Sequence, residues 1–401
     1  MGTKTSVSIV IRCLNEEKYI GRLLDGIAKQ SFSDVELIIV DSGSTDRTLS
    51  IVSEYPVKLL TISPEEFSFG RSLNIGCDAA TNDIIVIASA HVYPTYSDWI
   101  ESMLEPFSDP DIALVYGKQR GDTTSKFSEH QLLSRWFPDE SNLDQDYPFS
   151  NNANAAIRRS LWQECPYDEE LTGLEDTDWA NKAMAQGYKI SYISGAEVIH
   201  VHNESAKQIC NRYRREAIAL KKIFPQERFG YLDFVTLWCA NVITDLKQAK
   251  HDHVVLRSLT DILVFRTMQF WGTLKGFQLR GPVTTDLKRK FYYPNSNLTV
   301  KLTQHDGDNT QTKIKYEDII NKNSGKVIKI EEWGLRTLAY KIKNNKKGFY
   351  FHIKFEGVGK TVEELEGAEN IDEVLLRFLT VKVKKHDLDI TYFEKKDDYK
   401  P

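Results

Sequence analysis

The first 200 residues alternate between two hydrophobic periodicities, and this alternation limits the fold more than any other feature of the 401-residue chain. Short apolar and β-branched runs, typical of buried strands, alternate with stretches whose apolar residues share one helical face. The strand runs are 7–11, 37–40, 57–62, 84–88 and 112–116, and the helical stretches are 17–30, 46–55, 71–80 and 97–107. This order predicts an α/β fold with a parallel sheet and helices on both of its faces.

Two later segments have different patterns. Residues 205–296 predict three helices, at 206–223, 231–249 and 256–278, which we expect to form a helical extension. Beyond residue 297 the order βαββαβ predicts a small α+β domain with a ferredoxin-like arrangement. Its six predicted elements are 298–302, 315–323, 327–330, 350–355, 362–368 and 375–383. The predicted segments are therefore 1–204 (α/β domain), 205–296 (helical extension), 297–390 (α+β domain) and 391–401 (charged tail).

The sequence offers no segment typical of a membrane-spanning or secreted protein. No stretch reaches the roughly 18 consecutive apolar residues that a spanning helix needs, and the short polar start does not predict a secretory signal. The five cysteines are scattered, odd in number and without a CxxC pair, which disfavours a disulfide framework or a zinc knuckle. We therefore expect a cytoplasmic protein.

Polar residues follow the predicted strands at the points where ligands bind in open α/β sheets. The first strand leads into the loop 12–17, and the second leads into Asp41 and the loop 41–48. An acidic residue directly after a buried strand can accept hydrogen bonds from a base N–H or a ribose hydroxyl. The plainer interpretation is a tight turn in which Thr45 or Asp46 caps the next helix.

Further polar motifs occur at other strand or helix ends. Arg71 opens the third helix, where it suits a diphosphate or forms an ordinary surface salt bridge. The fourth strand ends in Ser89-Ala90-His91, and a later strand contains His200 and His202 on one face. The remaining motifs are the asparagine-rich run 150–154 and the acidic run 173–179.

Taken in order, the motifs of residues 7–204 resemble those of family 2 glycosyltransferases of the GT-A fold, and residues 205–294 resemble the tail of their rhamnosyltransferase-like branch. The resemblance implies transfer of a sugar, with inversion, from a nucleotide-diphosphate donor to a glycan or lipid-linked acceptor. It implies that Asp176 is the general base and that Glu175 and Asp178 face the acceptor. The positions implied to bind the donor are Asn15, Glu16, Asp41, Arg71, Ser89 and His91.

One motif departs from the family. Where its members usually have Asp-x-Asp, which contacts ribose and a divalent metal, this chain has Ser89-Ala90-His91. His91 can ligate manganese or, less favourably, magnesium, together with His202 or His200. Alternatively His91 contacts the diphosphate directly as a cation, or the activity has been lost.

The predicted helix 206–223 carries six basic residues. A basic amphipathic helix can rest on the inner face of an anionic membrane or hold a lipid-diphosphate acceptor. The plainer interpretation is a solvated charged face.

The strings 326–340 and 370–381 resemble the sixth protein of the bacterial small ribosomal subunit. The resemblance implies binding to 16S ribosomal RNA together with the eighteenth small-subunit protein. Four basic residues are predicted to reach RNA phosphates, or else only aid solubility: Arg336, Lys343, Lys346 and Lys347. Two functions remain: a glycosyltransferase with an accessory domain, and a ribosomal protein with a fused transferase-like domain. A sugar nucleotidyltransferase is disfavoured because the first loop, 12–17, contains no glycine.

Overall fold

The computed structural model describes residues 6–64, 66–279, 281, 283, 287, 291–292, 316–342, 345–371 and 380. The chain divides into two compact units, Met1–Pro294 and Asn295–Pro401. Four predicted features lie outside the described residues: the strand 298–302, Lys343, the tail 391–401 and, except for residue 380, the strand 375–383.

An eight-stranded sheet with the order β3-β2-β1-β4-β7-β6-β8-β5 forms the centre of the first unit. Its strands are β1 (Val7–Cys13), β2 (Val35–Asp41), β3 (Lys58–Thr61), β4 (Ile84–Ser89), β5 (Val92–Pro94), β6 (Ile112–Arg120), β7 (Asn154–Arg158) and β8 (Lys189–His200). The sheet is mixed, which corrects the expectation of a parallel one: β7 is antiparallel to both β4 and β6, and β5 is antiparallel to β8. The cause lies in the chain path, because β7 begins at the end of the sheet where β6 finishes and therefore runs in the opposite direction.

Helices cover both faces of this sheet, as predicted. They are α1 (Ile20–Ala28), α2 (Thr48–Val52), α3 (Phe69–Asp78), α4 (Trp99–Leu104), α5 (Phe127–Trp136), α6 (Arg159–Glu164) and α7 (Glu175–Ala185). Alternate residues of β1 enter two different cores: Ile9 and Ile11 pack with α1 and α4, whereas Val10 packs with α3 and α7. Each fully buried aliphatic side chain contributes about 1.5–3 kcal/mol. The two cores fix the sheet and therefore the positions of its strand-end loops.

Three long helices follow the sheet: α8 (Ala206–Ile223), α9 (Tyr231–His251) and α10 (Val255–Phe277). The backbones of α8 and α10 approach closely at Gly272, where an added Cβ would lie 2.3 Å from the Cys210 carbonyl oxygen. Helix α9 is joined to α10 by the fully buried Asp245–Arg266 ion pair. Within the described part of the chain, no helix has the length and apolar character needed to cross a bilayer.

The second unit contains an antiparallel hairpin, β9 (Lys326–Ile342) and β10 (Asn345–Glu356), and the helix α11 (Gly359–Ile371). Residues 316–322 form a further helix. Tyr316 and Ile320 from that helix pack with Leu365 of α11 in a small core beside the hairpin. The described helix–strand–strand–helix order is the central part of the predicted βαββαβ arrangement.

Candidate active site

The loops after β1 and β2 are joined by hydrogen bonds at the carboxyl edge of the sheet. Asn15 adopts a left-handed conformation with φ 55°, and its side-chain oxygen accepts a hydrogen bond from the Thr45 amide at 2.8 Å. The Glu16 amide donates to the Thr48 hydroxyl at 2.7 Å. These contacts hold the predicted donor-binding residues Asn15 and Glu16 beside the loop that begins at Asp41.

Asp41 is almost completely buried, with 2% of its surface exposed. Its Oδ2 accepts hydrogen bonds from the Gly43 amide at 2.9 Å and the Ser44 amide at 3.0 Å. Gly43 has φ 95°, a conformation that side chains with a Cβ rarely adopt. The carboxylate therefore organises its own turn, and a carboxylate has further lone pairs to offer a ligand.

Asp176 lies in the first turn of α7, against the segment that precedes β7. Its Oδ2 accepts a hydrogen bond from the Asn152 amide at 3.0 Å, and its Oδ1 accepts one from the Thr177 amide at 2.7 Å. Burial, and then the charge of Glu175, raise the pKa of Asp176 to about 7. A carboxyl with a pKa near the working pH is suited to accept a proton in catalysis.

Arg12, which sequence reasoning did not select as a site residue, links the first loop to the acidic run. Its guanidinium lies 3.5 Å from Glu175 Oε1 and stacks on the Phe69 ring at 4.8 Å from the centroid. Arg215 of α8 stacks on the same ring at 4.4 Å. Two cations from distant parts of the chain therefore meet at one aromatic ring beside Glu175. No local sequence pattern indicates this arrangement, because Arg12 and Arg215 come together only in the folded chain.

His91, His200 and His202 form a cluster where β4 and β8 end. The two segments adjoin because the Val201 amide donates to the His91 carbonyl at 3.0 Å. Each histidine offers one ring nitrogen as a ligand atom, and these three nitrogen atoms lie within 4.8 Å of one another. The Nε2 atom of the buried His200 has no hydrogen-bond partner among the described residues, so the cluster fits a divalent cation.

The environments of these histidines differ electrostatically. Burial alone lowers the pKa of His91, but the charge of Glu16 and its 2.8 Å hydrogen bond outweigh burial, so the net pKa of His91 is raised. Burial, followed by the charges of the two neighbouring histidines, holds the pKa of His200 well below its usual range. His200 is therefore neutral at physiological pH, which is the form that ligates a metal.

Three further predicted residues of the first unit, Arg71, Ser89 and Asp178, make contacts of their own. Arg71, on the first turn of α3, is 3.5 Å from Glu66 and 3.8 Å from Glu169. Ser89 ends β4, and its amide donates to the Ala153 carbonyl beside Asn152. Asp178 forms an ion pair with Lys182 at 2.7 Å, one helical turn further along α7.

The predicted RNA-binding residues belong to the second unit. Arg336 lies on β9 and pairs with Gly348 of β10, in the same hairpin that carries Lys346 and Lys347. Lys343 lies outside the described residues. These backbone positions place three of the four basic residues on one hairpin.

A mixed sheet of this order, with polar loops at its carboxyl edge and the buried Asp41 directly after β2, defines the first unit as a GT-A glycosyltransferase fold. Residues 8–165 match the model of glycosyl transferase family 2, and residues 298–382 match that of ribosomal protein S6. The chain therefore carries a family 2 glycosyltransferase domain, and its C-terminal segment belongs to the ribosomal protein S6 family. Both resemblances noted in the sequence are confirmed.

Curated relatives match one or the other half. The O-antigen chain rhamnosyltransferase WbaN of Salmonella anatum is 32% identical over 196 residues, which are 46% of this chain and 62% of WbaN. RfbN of Salmonella typhimurium is 28% identical over 52% of this chain and 70% of RfbN. The small ribosomal subunit protein bS6 of Pelagibacter ubique is 55% identical over 89 residues, which are 22% of this chain and 74% of that protein.

Among solved structures, the mannosyltransferase PcManGT from Pyrobaculum calidifontis, in complex with GDP-Man and Mn2+, aligns with a TM-score of 0.47. The two are 19% identical, and the alignment covers 73% of this chain and 89% of PcManGT.

Proposed function

We propose that the first unit transfers a sugar, with inversion, from a nucleotide-diphosphate donor to a hydroxyl of a glycan or lipid-linked acceptor. The observation that carries this proposal is Asp176: a buried carboxyl with a pKa of about 7, at the ligand-binding edge of the sheet. The match to family 2 and the 32% identity to a rhamnosyltransferase support the same reaction class.

In the proposed reaction Asp176 accepts the proton of the acceptor hydroxyl as its oxygen attacks the anomeric carbon. A bond forms between that oxygen and the sugar, while the bond to the diphosphate breaks and its electron pair leaves with the diphosphate. One displacement from the opposite face inverts the anomeric carbon. The Asn152 and Thr177 amides hold the carboxylate in place for this step, and Glu175 and Asp178 are proposed to orient the acceptor.

The donor is proposed to lie across the strand-end loops. Asp41, with Asn15 and Glu16 beside it, would contact the nucleoside, while Ser89 and Arg71 would lie toward the ribose and diphosphate. His91 and His202 would hold a divalent metal, which supplies Lewis-acid stabilisation of the leaving diphosphate when bound.

The transferase proposal is tested by incubating the full-length chain with a panel of nucleotide-diphosphate sugars and measuring release of the nucleoside diphosphate. We expect turnover of at least one donor. Asp41→Ala should raise the donor KM about tenfold or more, because it removes a ligand contact and loosens the turn at Gly43 and Ser44. Arg47→Ala, which changes an exposed side chain on the same loop, is the matched control. Absence of turnover with every donor would refute the transferase assignment.

A second function is proposed for the C-terminal segment, and the 55% identity to a bS6 protein favours it. It would bind 16S ribosomal RNA beside the eighteenth small-subunit protein, with Arg336, Lys343, Lys346 and Lys347 near phosphates. The protein would then be cytoplasmic and associate with ribosomes, or with the inner membrane face through the exposed Lys207, Lys221 and Lys222 of α8. The arginines of this helix do not form a free basic face, because Arg212 pairs with Glu129 and Arg215 stacks on Phe69.

Co-sedimentation of the full-length chain with small ribosomal subunits tests this second function. Binding should weaken as salt rises, and Lys346→Ala with Lys347→Ala should reduce the salt dependence, because each lost phosphate contact removes one released counterion. The exposed Lys29 and Lys250, replaced together by alanine, give a charge-matched control in the first unit. A chain that stays in the supernatant at low salt would exclude the ribosomal role.

A further inference from the structure

The three clustered histidines present their rings at close range. The ring centroids are 4.0 Å apart for His200 and His202, 5.0 Å for His91 and His200, and 5.8 Å for His91 and His202. Because His91 replaces the usual carboxylates at the end of β4, the cluster offers a cation nitrogen atoms rather than oxygen atoms.

Each of the three rings is held by an oxygen on its Nδ1 atom. His91 contacts Glu16 Oε1 at 2.8 Å, and His200 and His202 contact Gln119 and Glu129 at 2.7 Å each. An acceptor on one ring nitrogen fixes the tautomer and leaves the other nitrogen free to ligate, which is the usual outer-shell pattern of metal-binding histidines. Gln119 and Glu129 are buried, at 1% and 3% exposure, so this support is rigid.

A neighbouring group is excluded as the cation site by its own contacts. Glu129, His202 and Glu204 also lie close enough to share an ion. However, the Arg212 guanidinium from α8 contacts Glu129 at 2.8 Å and Glu204 at 2.6 Å. Because Arg212 already neutralises both carboxylates, a metal ion should bind at the three histidines and not at this second group.

We infer that His91, His200 and His202 form an all-imidazole centre that takes a transition-metal dication of the Mn2+, Co2+ or Zn2+ class and discriminates against Mg2+. Imidazole suits transition metals, whereas Mg2+ prefers oxygen ligands and retains its waters. Three protein ligands leave at least one position open for an oxygen of the donor. The role of this centre in donor binding rests on the proposed transferase function, but its occupancy does not.

Titration of the metal-free, full-length chain with Co2+, followed by visible absorption, tests the inference without any sugar donor. We expect one Co2+ per chain at the cluster, and no displacement by Mg2+ in large excess. His200→Ala should abolish the absorption, and so should His91→Ala, whose partly exposed side chain makes misfolding a weaker explanation. Gln119→Leu should weaken Co2+ binding about 10–100-fold, since it removes only the outer-shell acceptor. His251→Ala, at an exposed site outside the cluster, should change nothing.

Unchanged Co2+ binding in both His200→Ala and His91→Ala would overturn the inference, and so would displacement by equimolar Mg2+. A chain that shows no Co2+ absorption but still turns over its donor would also overturn it, in favour of histidines that contact the diphosphate directly. Conversely, Co2+ binding without turnover of any donor would leave the centre standing and refute the transferase proposal.

Discussion

Asp176→Asn is expected to lower kcat about 10²–10⁴-fold while the donor KM changes little. Asparagine keeps the size of the side chain and one oxygen, which can accept from either the Asn152 or the Thr177 amide, but it cannot accept the proton of the acceptor hydroxyl. Steady-state kinetics on the full-length chain, with a donor identified from the panel, measure the effect. Asp111→Asn, at an exposed position directly before β6 and 3.8 Å from Lys189, is the matched control and should change kcat little.

The pH dependence gives this prediction a second readout. Because the pKa of Asp176 is raised to about 7, the carboxyl is protonated and inactive as a base below that pH. The kcat/KM should therefore rise about tenfold per pH unit up to pH 7 and level off above it, and this rise should vanish in Asp176→Asn. Turnover that is equal in Asp176→Asn and the wild type would remove Asp176 as the base.

The parts of the fold that could be predicted from sequence are those with a strong local pattern. Ile9, Val10 and Ile11 mark a strand buried on both faces, and the position of Asp41 directly after such a strand places it at the sheet edge. The short strand β7 was missed because its alanine-rich sequence, Asn154–Arg158, has no distinctive period. Its antiparallel direction was also not predictable, because direction depends on where the chain re-enters the sheet.

The chemistry of the site was less predictable than its location. The resemblance singled out Asp176, but its pKa depends on burial and on Glu175, which only the folded chain establishes. Gln119 on β6 and Glu129 on α5 support His200 and His202 from positions over 70 residues away, as the sequence separations of 81 and 73 show. Such outer-shell partners belong to no local motif, so sequence reasoning cannot select them.

The largest effect on stability is expected from Asp245→Ala, in the interface between α9 and α10. Asp245 and Arg266 are both completely buried, and two hydrogen bonds of 2.7 and 2.8 Å join the guanidinium to the carboxylate. The Ser128 hydroxyl of α5 donates to the same carboxylate at 2.6 Å, which ties the helical extension to the α/β domain. Removing Asp245 leaves the Arg266 charge buried without its partner, which typically costs 3–5 kcal/mol.

Native-state amide hydrogen exchange in α9 and α10 measures this cost locally, as a fall of about 3–5 kcal/mol in the free energy of opening. Lys126→Ala breaks the partly exposed ion pair between Lys126, directly before α5, and Asp261 of α10, and should cost less than about 1 kcal/mol. The double variant Asp245→Leu with Arg266→Met should recover much of the loss, because it removes both buried charges and refills their volume. Equal losses in Asp245→Ala and Lys126→Ala would show that the buried pair is not what joins the extension to the sheet.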